Sequence, residues 1–261
     1  MYSGAPALNA LAALKCGADL VTVVTVERSA DIIAGFLPDL VTYPLEGDFL
    51  TSQHVKDILG IKRRFNACVI GGGIGTEKET AEAVCEFLEK TDLPCVIDAD
   101  AIHAVALRPE IFKGKSFLLT PNRKEFLSLI ERDVSPTLAA ETEATEEVAR
   151  KFGGVILHKG IENIISDGRQ TEINKQRSPF MTKGGHGDLL AGICGAIIAR
   201  KVSCFDAALA AIYINGKAGE LAGKKYGESL LASDLLAEYH RIINQSDTQS
   251  TETRAKTQRK Y

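Results

Sequence analysis

The chain has 261 residues, 45% of them hydrophobic and 25% charged, with 31 Lys+Arg against 34 Asp+Glu and a formal net charge of −3. These values sit near the globular average, so they exclude disorder over most of the length and leave enough apolar residues for a sizeable core. There is no basic excess to suit a nucleic acid. No apolar run reaches the roughly 18 residues that span a bilayer, and no signal-peptide pattern opens the chain. The cysteines Cys16, Cys68, Cys85, Cys95, Cys194 and Cys204 form no C-x-x-C pair. They are expected to be buried free thiols in a reducing cytoplasm.

Apolar residues recur at helical spacing from Ala7 to Lys15, with Gly17 as the stop. Leu20–Val26 and Leu40–Tyr43 read as strands, Ser52–Arg64 as a helix, and Asn66–Ile70 as a strand entering Gly71–Gly75. A helix follows from Thr76 to Lys90. The pattern continues with strands at Pro94–Asp98 and Ser116–Leu119, a helix through Ile130, a helix over Glu141–Lys151 and a strand at Val155–His158. Asn163–Ser166 and Gln170–Ile173 flank Asp167-Gly168, a hairpin signal. Helices are expected over His186–Arg200, Ser203–Ala222 and Ser233–Ile243, and disorder from Gln245 onward. Short apolar strands alternating with helices predict one α/β domain with a mostly parallel sheet covered on both faces. Ligands of such sheets bind beyond the carboxyl ends of the strands.

Five segments fall at such ends. Gly184-Gly185-His186-Gly187-Asp188 opens an apolar helix, where free N–H groups suit an anion. Asp188 is then expected to take a proton from an attacking hydroxyl, its pKa kept low enough by the helix N-terminus to stay ionised; the alternative is an N-cap or first-turn acid beside a tight turn. Gly71–Gly75 is a weak dinucleotide fingerprint, with Asp98 as the ribose acid, or a plain strand-to-helix turn. Asp98 and Asp100 suit a metal or ribose contact, or a cap. Asn122 and Glu125 suit a substrate amide and a water or Mg²⁺, or a capping box. Lys159 and the N–H groups beside it suit a nucleotide phosphate, or Lys159 is a solvated edge residue. His186 and His103 have no zinc-type spacing.

Taken in order, these segments, with Tyr2-Ser3-Gly4-Ala5-Pro6 ahead of them, Thr120-Pro121-Asn122 and Glu125-Phe126 between, and Leu231–Leu235 at the end, resemble the ribokinase-like superfamily. Within it they resemble the ATP- or ADP-dependent NAD(P)H-hydrate dehydratases. The resemblance implies a three-layer α/β/α sandwich over residues 1–244. It also implies that the first strand is missing ahead of Tyr2, so that the domain is shortened or mis-started. By the same resemblance, the epimerase domain fused in many members is expected to be absent. The implied reaction phosphorylates the C6 hydroxyl of hydrated NADH or NADPH at the expense of ATP or ADP, with Mg²⁺, and then eliminates phosphate.

By the same resemblance Asp188 is the base, and Gly185, His186 and Gly187 form the anion hole. Lys159, Gly160, Ile161, Glu162, Asn163 and Gly187 hold the nucleotide. Ala5, Gly75, Asn122 and Asp188 line the substrate site, and the metal ligands stay unassigned. The implied partner is a small molecule, with no nucleic acid or membrane, and the implied state is a homo-oligomer. Gly72 stands where many members carry Pro, Asn122 where many carry His, and Lys183 is an unusual residue that suits a further phosphate contact. A vitamin-precursor kinase of the same superfamily and a nucleotide-binding module without turnover are the competing readings.

Overall fold

The computed structural model describes residues 2–175 and 178–244. The tail expected to be disordered from residue 245 lies outside the described residues. The elements in chain order are α1 (Gly4–Lys15), β1 (Thr22–Val26), α2 (Glu27–Ala34), β2 (Val41–Leu45), α3 (Ser52–Ile61), β3 (Cys68–Ile70), α4 (Lys78–Lys90), β4 (Cys95–Ile97) and α5 (Asp100–Val105). They continue with β5 (Phe117–Leu119), α6 (Arg123–Ile130), α7 (Leu138–Phe152), β6 (Val155–His158), β7 (Asn163–Ser166), β8 (Thr171–Asn174), α8 (His186–Ala199) and α9 (Cys204–Tyr226).

Strands β3 to β8 form one sheet in sequence order. β3, β4, β5 and β6 run parallel, and β7 and β8 add an antiparallel hairpin. The period-2 alternation of a strand then decides the layers. Val96, Leu118 and Leu157 join the core under α1, α8 and α9, whereas Ile97, Leu119 and Ile156 join the core under α3 to α7. The sheet is therefore covered on both faces, as the apolar runs predict. β1 and β2 form a separate parallel pair, which no strand pairing among the described residues joins to β3.

The hairpin turn is stapled by Asp167 Oδ1, which accepts from the N–H groups of Arg169 and Gln170 at 2.8 Å each. Several expectations are corrected. The helix predicted over 52–64 ends at Ile61 and finishes as a 3₁₀ turn, Lys62–Arg64. The segment 233–243 is a 3₁₀ turn over Ala232–Ala237, with α-helix only from 239 to 244. Short helices α2 and α5 follow directly on strand ends where none was expected. All six cysteines are free; five are buried and Cys68 is half-buried. No helix among the described residues is long and apolar enough to cross a membrane.

Candidate active site

The carboxyl ends of β3, β4, β5 and β6 converge with the start of α8. Gly185, at φ +96°, turns the chain into α8, and a Cβ there would lie 2.8 Å from both Leu8 and Ala232. The first hydrogen bond of the helix runs from Leu189 N–H to Gly185 O at 3.1 Å. The N–H groups of His186, Gly187 and Asp188 precede that bond, which is what makes a helix start a seat for an anion. The His186 ring is buried, with Nδ1 2.9 Å from Lys183 O, so only the backbone of His186 is offered to a ligand. Lys183 is not aimed at a phosphate: its ammonium donates to Glu228 O at 2.6 Å.

Beneath this helix start lies a buried ion pair. Lys159, at the end of β6, donates to Asp98 Oδ1 at 2.6 Å, and Thr120 Oγ1 donates to the same oxygen at 2.7 Å. The two charged side chains are 18% and 3% exposed, which rules out a solvated edge lysine. Burial pulls the ammonium pKa down, but Asp98, Glu125 and Asp188 outweigh it and the net shift is upward. The backbone N–H of Lys159 is taken by Pro121 O at 2.8 Å, so it is not available to a phosphate. A Cβ on Gly187 would lie only 3.2 Å from Lys159 Nζ, which puts the ammonium directly under the anion seat.

In this structure Asp98 anchors Lys159. Asp100 turns the other way and accepts from Gly75 N–H at 3.0 Å. The residue between them, Ala99, separates the two with φ 48° and ψ −126°, a conformation that costs an L-residue about 1–3 kcal/mol.

Asp188 receives the opposite treatment from Asp98. Its carboxylate accepts no hydrogen bond among the described residues. Burial, joined by the charges of Asp98, Asp100 and Glu125 and opposed by Lys159, raises its pKa to about 6. The shift is upward because desolvation and three neighbouring carboxylates outweigh Lys159, yet it leaves the acid ionised as expected. At pH 7 the group is still mostly ionised. Its wall is the Gly71–Gly75 loop, because a Cβ on Gly72 would meet Asp188 Oδ1 at 2.8 Å, Asn9 Nδ2 at 3.0 Å and Ala5 Cβ at 3.4 Å. Tyr2 N–H donates to Gly73 O at 3.2 Å and fixes the start of α1 against the same loop.

Asn122 caps α6 in a full capping box. Its Oδ1 accepts from Glu125 N–H at 3.0 Å, and its own N–H and Nδ2 donate to the Glu125 carboxylate at 2.8 and 2.6 Å. An isolated parallel bridge sets Asn122 beside Lys159. Gly160, Ile161 and Glu162 lie on the turn between β6 and β7, with Ile161 exposed at its tip, and Asn163 opens β7. Sequence reasoning missed Thr120 as a partner of Asp98, and it missed Asn9. The one available signal for Asn9 is a polar residue on the packed face of an otherwise apolar helix. No group of three or more His, Cys, Asp or Glu among the described residues could hold a metal by itself.

Comparison with known proteins gives the family of the chain. The chain matches the Carb_kinase family, described as NAD(P)H-hydrate dehydratase, over residues 1–241. It is 38% identical over 244 residues to a bifunctional NAD(P)H-hydrate repair enzyme of Pyrobaculum aerophilum, covering 93% of this chain and 48% of that protein. It is 33% identical over 237 residues to an ADP-dependent (S)-NAD(P)H-hydrate dehydratase of Cenarchaeum symbiosum, covering 90% of this chain and 82% of that one. The chain thus spans about half the length of the bifunctional relatives. The fold is shared with the ADP/ATP-dependent NAD(P)H-hydrate dehydratase of Bacillus subtilis, crystallised with ATP/Mg²⁺, at a TM-score of 0.80 and 24% identity over 93% of this chain and 87% of that one. On the strength of the match over nearly its whole length, the chain belongs to the NAD(P)H-hydrate dehydratase family.

Proposed function

We propose that this domain restores hydrated NADH and NADPH to the dihydronicotinamide, using ATP or ADP as phosphoryl donor. The observation that carries the reading is a carboxylate raised to about pKa 6 at the N-terminus of α8, directly above a buried lysine. Asp188 takes the proton of the C6 hydroxyl, whose oxygen attacks the terminal phosphorus of the nucleotide as the bridging P–O bond breaks. The N–H groups of His186 and Gly187, with Gly185 setting the turn, receive the transferring phosphoryl oxygens. Lys159, fixed by Asp98 and Thr120, supplies positive charge below them. Hydroxide is a poor leaving group and phosphate a good one. The ring nitrogen lone pair expels phosphate from C6, and loss of a C5 proton restores the C5–C6 double bond.

Ala5, Gly75, Asn122 and Asp188 line the substrate side, and Gly160, Ile161, Glu162 and Asn163 the nucleotide side, with Lys159 and Gly187 between them. The donor set fits a divalent cation that arrives on the nucleotide phosphates and keeps much of its water, the usual habit of Mg²⁺. Glu125 and Asp98 are the acidic side chains that would face it, and it would neutralise phosphate charge. Six free thiols support a reducing compartment, here the cytoplasm. A homo-oligomer remains the state implied by the family resemblance, to be measured by light scattering.

The test is to incubate the protein with hydrated NADH, Mg²⁺ and either ATP or ADP, and to follow the return of dihydronicotinamide absorbance. Recovery with one nucleotide names the donor. No recovery with either, or release of a stable phosphate ester, overturns the reading in favour of a kinase or a binding module.

A further inference from the structure

The start of α8 is held from behind by a chain of buried polar groups. Asn215 of α9 and Tyr239, which opens the short helix over 239–244, are 5% and 0% exposed. Tyr239 Oη donates to Asn215 Oδ1 at 2.8 Å, and Asn215 Nδ2 donates to the backbone carbonyl of His186 at 3.4 Å. A carbonyl oxygen can only accept, so the amide has one workable orientation, nitrogen toward His186 and oxygen toward the phenol. Burial raises the Tyr239 pKa, so the phenol keeps the proton it donates. Asn215 is the one amide among the buried residues of α9, whose others are Ala, Gly, Ile, Phe and Cys. An apolar residue of the same size would bury there without the cost of desolvating an amide.

What the amide adds is a grip on a single peptide unit, His186–Gly187. In a planar trans peptide the C=O and the N–H point in opposite directions. Holding the His186 carbonyl against Asn215 therefore aims the Gly187 N–H away from α9. The His186 ring is tied on the same loop, with Nδ1 2.9 Å from Lys183 O. A carbonyl oxygen has two lone pairs, so His186 O can serve Asn215 without leaving the hydrogen bonding of α8.

We propose that Asn215 and Tyr239 are positioning residues for phosphoryl transfer, fixing and polarising the His186–Gly187 peptide whose N–H receives the transferring group. The inference rests on the reaction proposed above and extends the anion seat back to α9 and the helix over 239–244. As negative charge builds on the phosphoryl oxygens, the Gly187 N–H, the His186 carbonyl, the Asn215 amide and the Tyr239 phenol are polarised in one direction. Each hydrogen bond of such a chain strengthens the next. A dipole fixed in advance contributes most where charge is greatest, in the transition state. Both side chains are buried behind the helix start, so they act on kcat rather than on nucleotide affinity.

The test compares the unaltered chain with Asn215→Leu and Tyr239→Phe by two readouts. His186 is the only histidine followed by glycine, so carbonyl-¹³C histidine with ¹⁵N glycine isolates this one peptide in an NMR spectrum. Without any substrate, Asn215→Leu is expected to move both resonances upfield, as a carbonyl losing a hydrogen bond does, and Tyr239→Phe to move them the same way by less. In turnover of hydrated NADH, scaled to the folded fraction from urea unfolding, kcat is expected to fall about tenfold for Asn215→Leu and about threefold for Tyr239→Phe, with the nucleotide KM nearly unchanged. Should Asn215→Leu not fold, Tyr239→Phe, which keeps the ring and loses only the hydroxyl, carries both readouts. Unmoved resonances in a folded variant, or a loss carried by KM with kcat intact, reduce Asn215 to packing and overturn this inference while the reaction stands. A chain without turnover overturns the proposed reaction, and the positioning role with it, whatever the resonances do.

Discussion

β3 and β4 are the same three residues, Cys-Val-Ile, in the same register on neighbouring parallel strands. Yet Cys95, Val96 and Ile97 are 3%, 0% and 0% exposed, while Cys68, Val69 and Ile70 are all half-buried. Identical residues cannot explain the difference, so the neighbours must. β4 has a strand on each side, whereas β3 has a strand on one side and a cavity on the other. The contrast extends to what each strand delivers. β4 ends in Asp98, locked to Lys159 and Thr120, and β3 ends in the glycine loop that walls Asp188.

The sharpest way to test that division is at Asp188, where the two strand ends meet. Asp188→Asn is expected to lower turnover about 10²–10⁴-fold or more while nucleotide binding, read by calorimetry, is retained. A near-normal rate would remove Asp188 from the chemistry. On the β4 side, Asp98→Ala leaves the Lys159 ammonium buried without its partner and is expected to cost about 3–5 kcal/mol in urea unfolding. Asp98→Asn with Lys159→Met in one chain should recover much of that loss.

The β3/β4 contrast itself can be broken by paired truncations. Ile97→Ala is expected to cost about 2–5 kcal/mol, and Ile70→Ala distinctly less, because its side chain already borders solvent. Equal losses would mean that β3 is as enclosed as β4. The pH dependence sharpens the site further. kcat/KM should rise about tenfold per pH unit up to about pH 6 and then level off, because the base must be ionised. Stability runs the other way. The raised pKa means that the folded chain keeps a proton the unfolded chain releases, so the contribution of Asp188 is full below about pH 4 and lost as the pH rises through about 6. The smallest effect belongs to Gly72→Ala, whose Cβ would press on Asp188 Oδ1 and Asn9; a few-fold loss of kcat/KM with little loss of stability is expected.

Much of this architecture was legible in the residues. Apolar runs such as Val155–His158 have one reading, and the hairpin at Asp167-Gly168 is set by local turn chemistry. Legibility failed where the deciding partner is distant in sequence. Asp98 and Lys159 are 61 positions apart, and only the side-by-side order of β4, β5 and β6 brings them together. The raised pKa of Asp188 has the same origin, since its causes sit on three other segments. α2 and α5 were hidden for a local reason: each starts at a strand end with no glycine or proline to mark the change. Asn122 was ambiguous between cap and ligand, and the structure gives it a complete capping box while leaving it beside Lys159.

The close packing of α1 on α8 has a mechanical consequence. At Gly192 the two helices approach so nearly that any Cβ would collide with the backbone carbonyl of Asn9. Both helices begin at the site, one presenting Ala5 and the other Asp188. Backbone wedged on backbone transmits force without the slack of a long side chain. Under the proposed reaction, a molecule that pushes Ala5 aside would displace Asp188 with it, and one that seats correctly would leave the carboxylate in line. Shape discrimination and proton transfer would then share one lever, with Gly192 as its fulcrum.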